Sequence, residues 1–127
     1  MGPLLPITHD PRPAPATTGG VIHDGIYDLT HVVVFGSSKE TTRPGVRGAW
    51  VVRTEERSSN HIGGTVWQTI EESPDVACRV RRFAVTPQGL RVSGQGDSEF
   101  ARFTATSSSL TLISDETRTG LFFRRRR

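Results

Sequence analysis

From residue 25 onward, apolar and polar side chains alternate with a period of two, interrupted at short intervals by Gly, Pro, Ser and Asp. Alternation of this kind marks strands with one buried face, because successive strand side chains point to opposite sides. GIYDLTHVVVF (25–35) places Tyr27, Leu29, Val33 and Phe35 on one face and Ile26, Asp28, Thr30, Val32 and Val34 on the other. VRGAWVVR (46–53) sets Val46, Gly48, Trp50 and Val52 against Arg47, Ala49, Val51 and Arg53. TVWQTIEE (65–72) opposes Trp67 to Val66 and Ile70. VACRVRRFAV (76–85) is apolar at Val76, Cys78 and Val80 and resumes out of phase at Phe83 and Val85, so a β-bulge is expected at Arg81–Arg82. LRVSG (90–94), EFARFTAT (99–106), SLTLIS (109–114) and TGLFFRRRR (119–127) complete the strands. GSSKETTRPG, RSSNHIGG, SPD and TPQG read as connections.

No stretch has helical periodicity long enough for a βαβ crossover, so antiparallel pairing of sequential strands is the economical topology. A chain of 127 residues supplies one core. Its hydrophobic share of 34% suits sheets with one wetted face. The expected fold is all-β, an eight-stranded antiparallel up-and-down barrel, with a β-sandwich as the alternative. A closed barrel has no sheet edges, and its interior holds side chains or one small ligand. Residues 1–20 carry five of the eight prolines and end in a Gly pair. They read as an extended, mostly unstructured leader to a barrel domain at 21–127, with Leu4, Leu5 and Ile7 as the pieces able to lie along the folded body.

The closing segment, GLFFRRRR, resembles a basic tail for nucleic acid. Yet without Arg124 to Arg127 the chain has 12 basic and 13 acidic residues, a net charge of −1. A duplex-binding protein spreads cations over a face, so no nucleic-acid partner is expected. Leu121 and Phe123 alternate with Phe122, as in a last strand whose arginines form a frayed, solvated end that deters edge pairing. The single cysteine excludes an internal disulfide, and no zinc-ligand spacing occurs. No apolar run is long enough for a membrane helix, and the given sequence shows no charged n-region followed by an apolar h-region.

DGIYDLT near the start, and FTATSSSLTLIS followed by LFFRR at the end, resemble small bacterial lipocalin-like proteins, mostly known as hypothetical lipoproteins. The resemblance covers residues 24–127 and rests mainly on the first and last strands. It implies an eight-stranded barrel, secreted or lipid-anchored, with a small ligand inside. There is no lipobox cysteine ahead of the Pro-rich leader. A secreted or cell-envelope location is therefore expected if a signal stands upstream, and a cytoplasmic one otherwise.

Within that reading, the ligand-lining candidates are Tyr27, Leu29, Val33, Trp50, Trp67 and Phe103, which would bind a small, partly apolar molecule through shape and desolvation. Tyr27, the only tyrosine, needs a partner for its hydroxyl: a ligand group, a carboxylate or a backbone carbonyl. Ala101 and Ala105 leave room beside Phe103. Cys78 is expected to be buried and inert. Arg79, Arg81 and Arg82 are expected to form an outward row paired with glutamates. Glu55, Glu56, Glu71 and Glu72 come in adjacent pairs that point oppositely on a strand, unlike a glycosidase couple. The histidines His9, His23, His31 and His61 are expected as ordinary surface residues, and neither metal nor cofactor is called for. GxGxxG, P-loop and GxSxG motifs are absent. Ligand binding without catalysis is the favoured reading. The alternatives are a small cyclase- or isomerase-type barrel enzyme, marked by a titratable group deep in a cavity, and an interaction module with a filled barrel. An outward apolar patch, with Val32, Val34 and Val51 as candidates, would mark the module.

Overall fold

A computed structural model of the chain describes residues 4–36, 45–58, 61–72, 75–94 and 96–126. Most of the GSSKETTRPG connection, together with Ser59, Asn60, Ser73 and Pro74, lies outside the described residues. The strands are β1 (Ile7–Asp10), β2 (Gly25–Phe35), β3 (Val46–Arg57), β4 (Ile62–Glu72), β5 (Asp75–Thr86), β6 (Gly89–Ser93), β7 (Ser98–Ala105), β8 (Ser109–Ser114) and β9 (Thr119–Arg125). From β2 to β9 each strand pairs antiparallel with the next, and β2 pairs with β9. The sheet is thus a closed eight-stranded barrel, not a sandwich.

The ninth strand comes from the leader. β3 follows β2 only from Gly25↔Val52 to Asp28↔Ala49. Beyond that point β1 takes the vacated edge, pairing in parallel from Ile7↔Val32 to Asp10↔Phe35, while Leu5 bridges to Val46. Ile7 is buried with Val32 and Val46. The leader then crosses the outside of the barrel, where the Gly36 N–H donates to the Arg12 carbonyl at 2.9 Å. Arg102 donates to the Pro15 carbonyl at 3.2 Å, and Gly19 exchanges backbone bonds with Phe103 and Ala105 at 2.8 and 2.7 Å. Residues 4–20 thus lie along the barrel as a strap held at Leu5, β1 and Gly19. Their prolines withhold few needed donors because the ladder contacts fall on Leu5, β1 and Gly19. Ile22, just past the strap, enters the end of the barrel and joins its main core.

Two bulges set which residues face inward. In β2 the register shifts between Leu29 and His31. The extra residue, Thr30, donates its hydroxyl to the Phe122 carbonyl at 3.0 Å. Tyr27 and Leu29 therefore face in, and past the bulge Val32 and Val34 take over the inner positions. In β3 the shift falls between Thr54 and Glu56. Gly64 lies opposite, where an added Cβ would stand 2.0 Å from the Arg53 carbonyl oxygen, so the tight approach at this bulge requires glycine.

The bulge expected at Arg81–Arg82 does not form. β4 and β5 pair without interruption from Ile62↔Val85 to Glu72↔Asp75. The contacts of Phe83 with the core hold β5 in one phase, so Arg81 falls inside and Val76, Cys78 and Val80 fall outside. β6 pairs with β5 only from Arg82↔Ser93 to Thr86↔Gly89. The β4–β5 hairpin therefore overhangs the shorter β6–β7 hairpin, and among the described residues Asp75–Arg81 have a ladder partner on one side alone.

Candidate functional site: a filled barrel with an open edge

The interior is packed. Tyr27, Trp50, Val66, Phe83, Leu90, Phe103, Leu110 and Phe123 are buried in one cluster that Leu29 flanks. The Trp50 and Phe123 rings lie 5.0 Å apart at 43°. The space left among Ile22, Trp50, Val52, Val66, Phe83, Leu90 and Leu110 is ≈ 10 Å³. That is about one water's worth, against roughly 300 Å³ or more for an ordinary ligand pocket. The Tyr27 hydroxyl donates to the His23 carbonyl at 2.6 Å, which pins the turn leading into β2. Burial pushes its phenol pKa above the usual value.

The other expected lining residues part company. Trp50, Phe103, Tyr27 and Leu29 face inward, whereas Val33 and Trp67 face outward. Val33 lies on the outer side because the Thr30 bulge reverses the alternation of β2. Trp67 lies on the outer side because Val66 and Gln68, its neighbours on β4, hold the inner positions. Val32 and Val34, expected outside, face in for the same reason as Val33 faces out.

Two polar side chains accompany the core. Arg81 is nearly inaccessible, and its guanidinium donates to Asp97 at 2.8 Å and lies 3.4 Å from Glu99. Its Nε and the Oε1 of buried Gln68 have no hydrogen-bond partner among the described residues. Arg81 is thus not part of an outward row. Arg82 is: it reaches Glu55 at 3.2 Å and Glu56 at 3.3 Å, and Glu56 also meets His61 at 2.9 Å. The Thr65 hydroxyl joins Glu55, whose carboxyl is held below its usual pKa chiefly by that bond.

The outer face of β2–β5 carries the feature that periodicity alone did not reveal. The ladder aligns Ile26↔Val51, Val51↔Trp67 and Trp67↔Val80, one apolar side chain from each of four adjacent strands. All four are exposed, at 38%, 39%, 39% and 64%. On one side this row borders the Arg82–Glu55–Glu56 network, and on the other Thr69, Cys78 and Val76, the last 60% exposed. Cys78 is exposed, contrary to the expectation, because the unbroken β5 register turns it outward. The row ends at the unpaired Asp75–Arg81 edge. The signal that could have found this edge was strand length: the 65–72/76–85 pair is longer than the 90–94 strand that follows it.

A second surface feature lies under the strap. Asp10, Arg12, Pro13, Pro15, Val33, Phe35 and Phe122 line an open cleft of ≈ 340 Å³. Arg12 grips Asp10 through two nitrogens and lowers its carboxyl pKa. His31 meets Phe122 edge-on nearby, with centroids 6.3 Å apart.

Of the C-terminal arginines, Arg125 and Arg126 are tied down instead of frayed, and Arg127 lies outside the described residues. Arg125 donates to the Asp24 carbonyl at 2.7 and 3.0 Å and to the Ser107 carbonyl at 3.2 Å. Arg126 forms a two-bond ion pair with Asp28 at 2.6 and 2.8 Å, and its N–H donates to the Ile26 carbonyl. These contacts close the β2–β9 seam where the ladder ends, because Asp24, Asp28 and Ser107 place acceptors at that rim. Among the described residues, no three His, Cys, Asp or Glu side chains gather closely enough to hold a metal ion. No helix is long and apolar enough to cross a membrane.

No family model matches this chain, and neither a curated protein nor a solved structure matches it. The class to which the chain belongs is therefore given by its architecture: a closed antiparallel β-barrel with a strapped leader and, among the described residues, an open edge at Asp75–Arg81.

Proposed function

We propose that this protein is an interaction module, a filled barrel that binds another polypeptide by adding a strand to β5. The observation that supports it is the seven-residue stretch Asp75–Arg81, which has backbone donors and acceptors on one side with no ladder partner among the described residues. Exposed Val76 and Val80 lie within it. An added strand satisfies those groups, and alternate side chains of the guest meet the apolar row. The row has an apolar middle and a charged border, the usual anatomy of an interface. Selection from a displayed library of extended peptides tests the reading. Peptides with alternating apolar positions should enrich on the wild-type protein and be lost on a Val76→Lys/Val80→Glu variant. Enrichment that is absent, or equal on both proteins, refutes it.

A second reading, binding of a small, partly apolar molecule outside the barrel and not within it as the lipocalin-like resemblance implies, is favoured by the cleft beneath the strap. Its volume falls in the range of small-molecule sites, and it has apolar walls with one ion pair at the rim. Native mass spectrometry after gentle isolation tests it. A stoichiometric adduct lost on Phe122→Ala supports the cleft, and a protein of bare chain mass counts against it.

A further inference from the structure

The geometry points to a second copy of this chain as the occupant of the β5 edge, forming a two-fold dimer whose axis passes beside Cys78. This rests on the edge being an interaction surface and goes further by naming the partner and the register.

The argument begins with the length of the open edge. β6 covers β5 only from Arg82 onward, so the free stretch runs from Asp75 to Arg81 and is centred on Cys78. Two copies that meet edge to edge around an axis perpendicular to the sheet pair antiparallel and keep their outer faces on one side. Residues placed opposite one another must then have the same orientation. The register that engages the whole free stretch places Cys78 opposite its own copy.

That register is chemically self-complementary. On the outer face Val76 meets Val80 of the second copy, and by symmetry Val80 meets Val76. These are the two most exposed of the large apolar side chains in the described structure, at 60% and 64%. Paired, they cover each other and extend the Ile26–Val51–Trp67–Val80 row across the junction. Branched aliphatic pairs directly opposite one another are favourable cross-strand neighbours. On the inner face Asp75 stands opposite Arg81, whose guanidinium stays with Asp97 and Glu99 of its own chain, and small Ala77 stands opposite Arg79, which leaves space for the longer guanidinium. Asp75 of each edge then lies diagonally across from the half-exposed Arg79 of the other, an opposite-charge neighbour. Shifting the register by two residues in either direction shortens the ladder and removes the reciprocal Val76–Val80 contacts. A dimer also disposes of the liability of a monomer with a long apolar edge, which is otherwise a template for uncontrolled pairing.

Cys78 makes the register directly testable. Opposed Cβ atoms in an antiparallel pair stand about 4.5–5.5 Å apart, close to the separation a disulfide spans. The chain has one cysteine, so any covalent dimer reports that position alone. The experiment has two arms on the full chain: sedimentation of the reduced protein, and non-reducing electrophoresis after mild oxidation with diamide. Expected are a dimer of twice the 13.9 kDa chain mass and rapid trapping through Cys78. Cys78→Ser should keep the reduced dimer and abolish the trapped one. Val80→Glu, at an exposed site where the barrel does not need the valine, should weaken the dimer at least about tenfold and slow trapping equally, with an unchanged far-UV spectrum. A reduced protein that stays monomeric at about 100 μM, well above ordinary specific affinities, overturns the inference. So does a dimer indifferent to Val80→Glu or untrapped at Cys78. A monomer that still selects extended peptides leaves the interaction reading standing with a different occupant, so the two ideas fail separately.

Discussion

Replacing Ile22 with alanine tests whether the segment between strap and barrel is structural. Ile22 is 5% exposed, while its neighbour Val21 is 52% exposed. The substitution removes Cγ1, Cγ2 and Cδ1 from the buried cluster in which Ile22 shares a small void with Trp50, Val52, Val66, Phe83, Leu90 and Leu110. At about 0.8 kcal/mol for each buried methylene-sized group, the transfer cost is about 2.4 kcal/mol. The void left behind adds up to about 1.5 kcal/mol, because strands tied into a closed barrel relax little. The expected loss is therefore about 2.5–4 kcal/mol, a fall in Tm of roughly 10–15 °C for a domain of this size. Urea unfolding followed by tryptophan fluorescence measures it, and Trp50, which lines the same void, is a built-in reporter. Val21→Ala should cost less than about 0.5 kcal/mol. If Ile22→Ala is as mild as Val21→Ala, or if both are equally severe, the barrel does not depend on this plug and the account of the leader is mistaken.

Three other outcomes follow from the same coordinates. Arg81→Met should leave stability within about 1 kcal/mol of wild type in urea unfolding. It removes a buried charge and an unpartnered Nε, while Asp97 and Glu99 already reach water; Asp97→Asn, which leaves the charge less paired, should cost more. Gly120→Ala should destabilise by about 1–3 kcal/mol, since a Cβ there would lie 2.8 Å from the Phe35 ring and 3.2 Å from Ile113, and the thermal midpoint reports it. Asp28 and Asp115 have carboxyl pKa values lowered by Arg126 and Arg102 respectively. Stability from a depressed pKa is fully present above the unfolded value near 4 and lost as pH falls through the folded value, so Asp28→Asn should flatten the stability curve below about pH 4.

Much of the fold was legible in the chain. Strand alternation, with turns at TPQG and the polar breaks, depends on neighbours in sequence, and the barrel follows from eight such strands joined by short links. Trp50 and Phe103 could be placed inside for the same reason. The orientation of Val33 could not, because a single inserted residue at Thr30 reverses every side chain after it, and the bulge is stabilised by Phe122, distant in sequence. For β5 the error ran the other way. The phase slip at Arg81–Arg82 resembled a bulge because Val76, Cys78 and Val80 are apolar in one phase and Phe83 and Val85 in the other, and Asp97 and Glu99, brought in from the next hairpin, make an inward Arg81 tolerable. The arginines of the terminus presented the same difficulty: their acceptors belong to the opposite end of the chain.

The amino-acid sequence by itself determined a β-barrel of antiparallel neighbours, since period two and short turns are local properties enforced by backbone geometry. The tertiary structure decided what that barrel offers to other molecules. Closure, strap and plug fill the interior by long-range packing. The unequal lengths of adjacent hairpins leave Asp75–Arg81 unpaired, a mismatch that becomes a surface only when the strands stand side by side.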